Sequence, residues 1–136
     1  MQNILKDLYE KITIIRNEIT HAKDAQVKSE LIERLNDEYA ILGDCSKPVK
    51  YLYSEYERSM DNGNALLDFS GDVYIDYVDQ LVACMKECGI HAFTYSSSWS
   101  GAVEVAWAFQ EQGCVLEKMV KINGNHRIVP AFLFKL

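Results

Sequence analysis

Apolar residues recur at three- and four-residue steps through the first part of the chain, a pattern typical of amphipathic helices. The first apolar stripe comprises Leu5, Leu8, Ile12, Ile15 and Ile19. A second stripe starts in a new phase and comprises Val27, Leu31, Leu35, Tyr39 and Leu42. Two antiparallel helices joined near residues 20–25 explain the change of phase, and one bent helix that changes its packing partner is the alternative. We favour the helical hairpin.

A third, shorter helix is predicted after a helix stop at Gly43. Ser46 can cap this helix, and Pro48 lies in its first turn, where the missing N–H group costs no hydrogen bond. Its apolar positions are Val49, Leu52, Tyr53, Tyr56 and Met60. The polar loop 61–64 then ends the helical part of the chain.

The pattern changes after this loop to short apolar runs that alternate with helical spacing. The predicted order is β-α-β-α-β-β, with elements at 65–69, 73–88, 91–95, 99–112, 114–122 and 127–136. Gly89 and Gly113 are expected to end the two helices. Asn123-Gly124 predicts a β-hairpin between the last two strands. The sequence therefore predicts an α+β fold in which a helical N-terminal half packs on a small C-terminal sheet ending in a β-hairpin.

The last strand is apolar on both of its faces, which predicts that it lies between two layers. The N-terminal helices are the candidate second layer. We treat residues 1–136 as a single domain with a helical subregion, 1–60, and an α/β subregion, 64–136.

Composition is typical of a globular protein, with 49% hydrophobic and 25% charged residues. No apolar run approaches the roughly 18 residues that a membrane span needs. The first residues lack the basic-then-apolar layout of a signal peptide, so we expect a cytoplasmic protein without a membrane partner. In that compartment cysteines are kept as reduced thiols, and the four are Cys45, Cys84, Cys88 and Cys114.

The net charge of −6 is concentrated in residues 64–113. Lys86 is the one lysine or arginine of this stretch, and its acidic residues are Asp68, Asp72, Asp76, Asp79, Glu87, Glu104 and Glu111. Such a surface repels phosphates and attracts cations. We therefore expect no direct binding to nucleic acid, and a basic protein surface as the partner.

Asp72, Asp76 and Asp79 form the strongest candidate site. Their i, i+4, i+7 spacing stacks three carboxylates on one face of the predicted helix, where they can dock lysines and arginines of a partner. Tyr74 and Tyr77 of the same helix would suit an interface if exposed. The alternative is a solvated face whose charges offset the helix dipole.

Ser96, Ser97 and Ser98 lie before the second predicted helix, where free N–H groups and hydroxyls can bind an anion. The segment is neither a phosphate-binding GxxxxGK[ST] loop nor a GxSxG nucleophile elbow. We favour a serine-capped helix start. The sequence offers no catalytic set and implies no cofactor.

Cys84, Cys88 and His91 have a spacing that invites a zinc site with Cys114 as the fourth ligand. Gly89 should end the helix before His91, so we favour small core thiols and no metal. Glu104 interrupts an apolar helix, and we expect it to lie on an exposed polar edge.

Two segments carry a family resemblance, and they are Trp99-Ser100-Gly101-Ala102-Val103-Glu104-Val105-Ala106-Trp107-Ala108-Phe109-Gln110 and Val129-Pro130-Ala131-Phe132-Leu133-Phe134. Over residues 64–136 the chain resembles small uncharacterised proteins carried by phages and mobile elements of gut Firmicutes. The resemblance carries over no catalytic residue. It implies a helper or inhibitor gene of the kind that blocks host defence nucleases.

Taken together, these observations favour a non-catalytic, acidic protein-binding module. We expect it to inhibit a nucleic-acid-handling host enzyme, in the manner of an anti-CRISPR or anti-restriction protein. One alternative is a small enzyme or phosphate-ligand binder that uses Ser96, Ser97 and Ser98. The other is a structural homo-oligomer held together by the helices of residues 2–42.

Overall fold

A computed structural model describes residues 3–43, 47–71 and 73–136 of the chain. Three positions used in the predictions above lie outside these ranges, and they are Cys45, Ser46 and Asp72. No helix among the described residues has both the length and the apolar character needed to cross a bilayer.

Two antiparallel helices come first: α1 spans Ile4–His21 and α2 spans Ala25–Gly43. The Asn3 side chain caps α1 by accepting hydrogen bonds from two backbone N–H groups of its first turn, at 3.1 Å each. Asp24 plays the same part for α2, since it accepts a hydrogen bond from the backbone of Gln26 at 2.7 Å. The interruption between the helices confirms the predicted hairpin.

The predicted apolar stripes of α1 and α2 pack against the third helix, α3, which spans Lys47–Asp61. The buried members of the three stripes are Leu5, Ile12, Ile15, Leu31, Leu52, Tyr53 and Tyr56. Val27, in the first turn of α2 next to the loop that joins the two helices, is 47% exposed and departs from the pattern.

A polar cluster also joins the three helices. The carboxylate of Glu57 in α3 accepts hydrogen bonds from Arg16 of α1 at 2.8 Å and from the Tyr39 hydroxyl of α2 at 2.7 Å. Tyr53 lies buried beside this cluster, and burial together with the neighbouring Glu57 raises the pKa of its hydroxyl. The helical hairpin is thus held on α3 by charge-assisted as well as apolar contacts.

The second half forms a four-stranded sheet with two helices, in the predicted order β-α-β-α-β-β. Its elements are β1 Leu67–Phe69, α4 Val78–Glu87, β2 Ala92–Tyr95, α5 Ala102–Glu111, β3 Val115–Asn123 and β4 Ile128–Lys135. The strand order is β1-β2-β4-β3, in which β1 and β2 are parallel and the other pairs antiparallel. The α+β class is therefore confirmed.

Aromatic rings fill the space between the sheet and α5. Phe109 of α5 lies with its ring centroid 4.8 Å from that of Phe93 in β2 and 5.5 Å from that of Phe134 in β4. Phe69 of β1 completes this layer, and its centroid is 5.5 Å from that of Phe93. The alternation of side chains along a strand sends Asp68 and Thr94 to the opposite face of the sheet.

The N-terminal helix that packs directly on the sheet is α3, which lies beside β1. The α1–α2 hairpin, predicted as the second layer, packs mainly on itself and on α3. At the other edge of the sheet, β3 is exposed along most of its length. Helix α3 thus links the helical half to the sheet.

Both helices of the second half begin later than predicted. Before α4, Val73 is buried, Tyr74 is extended, and a short 3₁₀ turn, Ile75–Tyr77, precedes the helix. Before α5, Trp99 packs on Gly101, where an added Cβ would overlap the indole ring. Tertiary packing of one apolar side chain therefore delays each helix. The helix ends agree with the prediction, since Gly89 has a φ of 81°.

The β3–β4 hairpin turns through four residues, 124–127, rather than through a two-residue Asn-Gly turn. The N–H of Gly124 donates to the carbonyl of Arg127 at 2.7 Å, which closes the loop. Outside the hairpin, the Asn64 side chain bonds both the N–H and the carbonyl of Asn123, at 2.9 and 2.8 Å. The loop after α3 thereby holds the end of β3.

Candidate functional site

Large apolar side chains lie on the 3₁₀ turn, on α5, which contacts it, and just before each of them. We call this group the aromatic surface, and its members are the half-buried Trp99 and the exposed Tyr74, Ile75, Tyr77, Val103 and Trp107. Tyr74 is 60% exposed, Tyr77 is 56% exposed and Trp107 is 61% exposed. Side chains of this size usually contribute to a core or an interface, so their clustering marks a candidate binding surface.

Helix α5 carries apolar residues on two opposite sides. Val105 and Phe109 face the core, with 1% and 0% exposure. Val103 and Trp107 are also four residues apart, but the helical repeat turns them toward solvent, where Val103 is 75% exposed. The outer stripe does not contribute to the core.

The rings of Tyr74, Tyr77 and Trp99 meet at steep angles. The centroids of Tyr74 and Tyr77 are 6.4 Å apart with an interplanar angle of 75°, and those of Tyr74 and Trp99 are 6.2 Å apart at 71°. Trp99 is held in place because its indole Nε1 donates a hydrogen bond to the hydroxyl of buried Tyr95 at 3.0 Å. Tyr74 is therefore the centre of a three-ring corner.

An apolar cleft of about 370 Å³ adjoins the same rings. It lies between the start of α3 and the segment leading into α4, and it is lined by Pro48, Tyr51, Val73, Tyr74, Tyr77, Gln80 and Leu81. Tyr74 and Tyr77 line this cleft and also belong to the aromatic surface. An apolar group that reached the cleft would therefore contact the rings as well.

Asp76 and Asp79 lie on the same segment and are exposed. Asp76 belongs to the 3₁₀ turn and Asp79 to the first turn of α4, so the two do not share the single continuous helix that was predicted. Within the described part of the chain, no lysine or arginine forms an ion pair with either carboxylate. Docking of a partner on Asp72, Asp76 and Asp79 stays a prediction.

A second carboxylate, Asp68, has the opposite environment, because it is 1% exposed on the α3 side of the sheet. Its side chain accepts hydrogen bonds from the hydroxyls of Thr94 at 2.7 Å and Ser96 at 2.6 Å. The guanidinium of Arg58 is 3.4 Å from the same carboxylate. This buried charge is thus paired and hydrogen-bonded within the chain.

The partners of Asp68 are themselves held by α3. Arg58 donates to the Asp68 carbonyl at 2.6 Å and to Glu55 at 2.9 Å. The hydroxyl of Ser59, which is fully buried, accepts the backbone N–H of Asp68 at 2.8 Å and donates to the carbonyl of Glu55 at 2.6 Å. The network joins α3 to β1 and β2 and satisfies the Asp68 carboxylate and the Ser59 hydroxyl, while Nε of Arg58 has no hydrogen-bond partner among the described residues.

The predicted serine cap of α5 is not formed. Gly101 is the residue before the helix, and no side chain caps it. Ser96 instead donates its hydroxyl to Asp68, so a negative charge lies 2.6 Å from that oxygen. Ser97 is half-buried and Ser98 exposed. Anion binding by Ser96, Ser97 and Ser98 stays a prediction.

Cys84, Cys88 and Cys114 are buried and form no disulfide, which agrees with core thiols. Burial raises the pKa of Cys114 and so keeps its thiol protonated. Among the residues that the structure describes, no three histidine, cysteine or acidic side chains are arranged to hold a metal ion. Glu104 is exposed, as expected.

Sequence reasoning missed two features of this region. The Asp68 network was signalled by a lone carboxylate inside the apolar run 65–69, which a buried strand tolerates only if the charge is paired. The contribution of α5 to the aromatic surface was signalled by Val103 and Trp107, which share a helical face opposite Val105 and Phe109.

Residues 51–134 match the family model of a domain of unknown function (DUF7698). The match covers well over half of the chain. The chain belongs to the DUF7698 family. The DUF7698 region runs from α3 to β4, so it contains the sheet, the aromatic surface and the Asp68 network, while α1 and α2 precede it. No curated protein and no solved structure matches the chain.

The expected resemblance to an uncharacterised family is thus confirmed in its general form. The match begins at residue 51 rather than 64, because most of α3 belongs to the family region. Helix α3 supplies Arg58 and Ser59 to the network around β1, so the DUF7698 region includes the helix that neutralises its buried carboxylate.

Proposed function

We propose that the chain is a non-catalytic protein-binding module and that the aromatic surface, with Asp76 and Asp79, is its binding site. One observation carries this proposal: Tyr74 and Tyr77 are each more than half exposed on the same segment as Asp76 and Asp79, whose carboxylates pair with no cation of the described chain. Trp107 adds an exposed ring on α5, the helix that contacts this segment. Aromatic residues are enriched in protein interfaces and dominate their binding energy.

The partner that fits this surface is a basic protein segment carrying apolar side chains. The acidic bias of residues 64–113 would speed its approach, and the rings would supply the desolvated contact area. In its specific form, the proposal names a nucleic-acid-handling enzyme, because such enzymes present basic grooves. An inhibitor of a CRISPR effector or restriction enzyme, carried by a phage or mobile element, would act by covering that groove.

Capture of a defined partner by two surface variants and their matched controls would test the proposal. Tagged protein is expressed in the native host, bound proteins are identified, and their affinity is then measured with purified components. Trp107→Ala and the double variant Asp76→Lys with Asp79→Lys should each weaken binding at least about tenfold, which is about 1.4 kcal/mol. The controls are Ile128→Ala and Glu33→Lys, which change exposed residues elsewhere.

Salt dependence separates specific docking from general adhesion. Binding by the unaltered protein should weaken as ionic strength rises from about 50 mM to about 500 mM, and the charge-reversed variant should lose this dependence. A partner held equally well by all four variants would show that another surface carries the interaction and would reject the proposed site.

A structural homo-oligomer is the second candidate, and α2 favours it. Leu31 is the one residue of this helix classed as buried, while Val27 and Ile32 are 47% and 43% exposed. A second copy could cover this face through residues 2–42. Light scattering should then report a dimer that Ile32→Glu converts to a monomer, and a monomeric unaltered protein at high concentration would exclude this candidate.

A further inference from the structure

We propose that Tyr74, Tyr77 and Trp99 form an aromatic corner that receives one arginine side chain of the partner. This inference rests on the proposed function, because it names the chemistry of the same binding surface. The ring centroids of Tyr77 and Trp99 lie 6.4 and 6.2 Å from that of Tyr74, and both pairs meet at steep angles. A cation within about 6 Å of such ring faces is attracted by their quadrupoles.

The corner is organised before any ligand arrives. The Trp99 indole is fixed by its hydrogen bond to Tyr95 and by its contact with Gly101, which leaves no room for a larger side chain at position 101. Tyr74 in turn packs against both other rings. A pre-formed site loses less side-chain entropy on binding, so a small ligand can be held by few contacts.

The carboxylates on the segment that carries Tyr74 and Tyr77 favour a cationic ligand. Asp76 lies between Tyr74 and Tyr77 in the chain, and Asp79 follows one turn later, so a cation at the corner would have two carboxylates on the same segment. Arginine uses both features at once, because its planar guanidinium stacks on aromatic rings and also donates hydrogen bonds in pairs to a carboxylate. A quaternary ammonium group could use the rings but could donate no hydrogen bond.

The adjoining apolar cleft can hold the aliphatic stem of the arginine side chain. Its lining includes Tyr74 and Tyr77, together with Val73 and Leu81. Arginine carries a three-carbon stem that can lie along apolar surface while its head remains near water. The cleft thus suits the stem, or the apolar side chain of a neighbouring partner residue, while the rings and carboxylates hold the guanidinium.

The test is a titration of the full chain with N-acetylarginine amide, followed by NMR signals of the Trp99 indole N–H and the aromatic rings. Saturable shifts are expected at these groups with a dissociation constant of about 1–10 mM. N-acetylcitrulline amide, which has almost the same shape without the charge, should bind at least about tenfold more weakly. The affinity for N-acetyllysine amide should lie between those for the arginine and citrulline ligands.

Three variants assign the contacts. Tyr74→Ala and Tyr77→Ala change exposed residues, so both proteins should fold, and both should lose most of the arginine-induced shift at Trp99. Trp107 lies outside the corner. Trp107→Ala should therefore leave the affinity for N-acetylarginine amide unchanged, although it weakens capture of the partner. This difference separates the two proposals.

Equal binding of arginine and citrulline, or shifts that persist in Tyr74→Ala, would overturn the arginine corner. If arginine fails to bind while partner capture still depends on Trp107, Asp76 and Asp79, the arginine inference is wrong and the protein-binding surface stands. If arginine binds at Trp99 and no partner capture depends on these residues, the corner is supported and the wider interface is rejected.

Discussion

Asp68 is buried, whereas Asp76 and Asp79, which lie eight and eleven residues further along the chain, are exposed. Asp68 is 1% exposed and is satisfied by Arg58, Thr94 and Ser96. Asp76 and Asp79 are exposed, and no described lysine or arginine pairs with them. The Asp68 carboxylate therefore binds groups within the chain, whereas those of Asp76 and Asp79 are accessible to a ligand.

The difference shows that acidity along the chain does not by itself locate a binding surface. Apart from Lys86, the charged side chains of residues 64–113 are all acidic, but the buried Asp68 adds no negative charge to the surface. The neighbourhood of each carboxylate separates the two roles: Asp68 lies against α3, whereas Asp76 and Asp79 lie beside exposed aromatic rings. Substitutions at these positions test whether the buried and the exposed carboxylates differ in their contribution to stability.

The largest effect is expected for Asp68→Ala. Removal of the carboxylate leaves the hydroxyls of the buried Thr94 and the half-buried Ser96 without their acceptor, while Arg58 keeps Glu55 and the carbonyl of residue 68 as acceptors. Because two donors at a buried site lose their acceptor at once, we expect the free energy of unfolding to fall by about 2–5 kcal/mol. Asp79→Ala is the matched control and should lower it by less than about 1 kcal/mol. Equal effects in urea denaturation would remove the distinction between the two environments.

Ser59→Ala should have the next largest effect. The substitution leaves the buried N–H of Asp68 without an acceptor, although it preserves the charge pair. We expect a loss of about 1–3 kcal/mol in the free energy of unfolding. Ser54→Ala, on the exposed face of the same helix, should change stability by less than about 0.5 kcal/mol. A neutral Ser59→Ala would mean that the backbone finds another acceptor.

Alkaline pH should weaken the helical half through Tyr53. Burial and the neighbouring Glu57 raise the pKa of this hydroxyl in the folded chain, so the folded state retains a proton that the unfolded state releases. Its contribution to stability is therefore complete below about pH 10 and decreases as the pH rises further. Tyr53→Phe should reduce the slope of stability against pH in that range. An unchanged slope would assign alkaline unfolding to other groups.

The smallest effect on folding is expected for Asp76→Asn combined with Asp79→Asn. Both carboxylates are exposed and lack a cation within the described chain, so neutralisation should change the free energy of unfolding by less than about 1 kcal/mol. The same variant should lose most of the salt dependence of partner binding. Strong destabilisation, measured by thermal unfolding, would show that these carboxylates hold the fold together.

Sequence patterns predicted the element types and their order, because side-chain periodicity records which face of a helix or strand is covered. The stripe from Leu5 to Ile19, the break near residue 22 and the helix end at Gly89 could all be read locally. Helix starts were predicted less well, since they coincide with the burial of Val73 before α4 and with the contacts of Trp99 to Gly101 and to the distant Tyr74 before α5.

Composition and local spacing were enough to predict the α+β class, the helical hairpin and the acidic bias of residues 64–113. Three features became evident only from the packing of the elements: β4 lies between β2 and β3, Arg58 contacts Asp68, and Tyr74 contacts Trp99. Each of these features joins residues of different elements. The balance between chain entropy and burial that selects them belongs to the whole fold and leaves no periodic signal in the sequence.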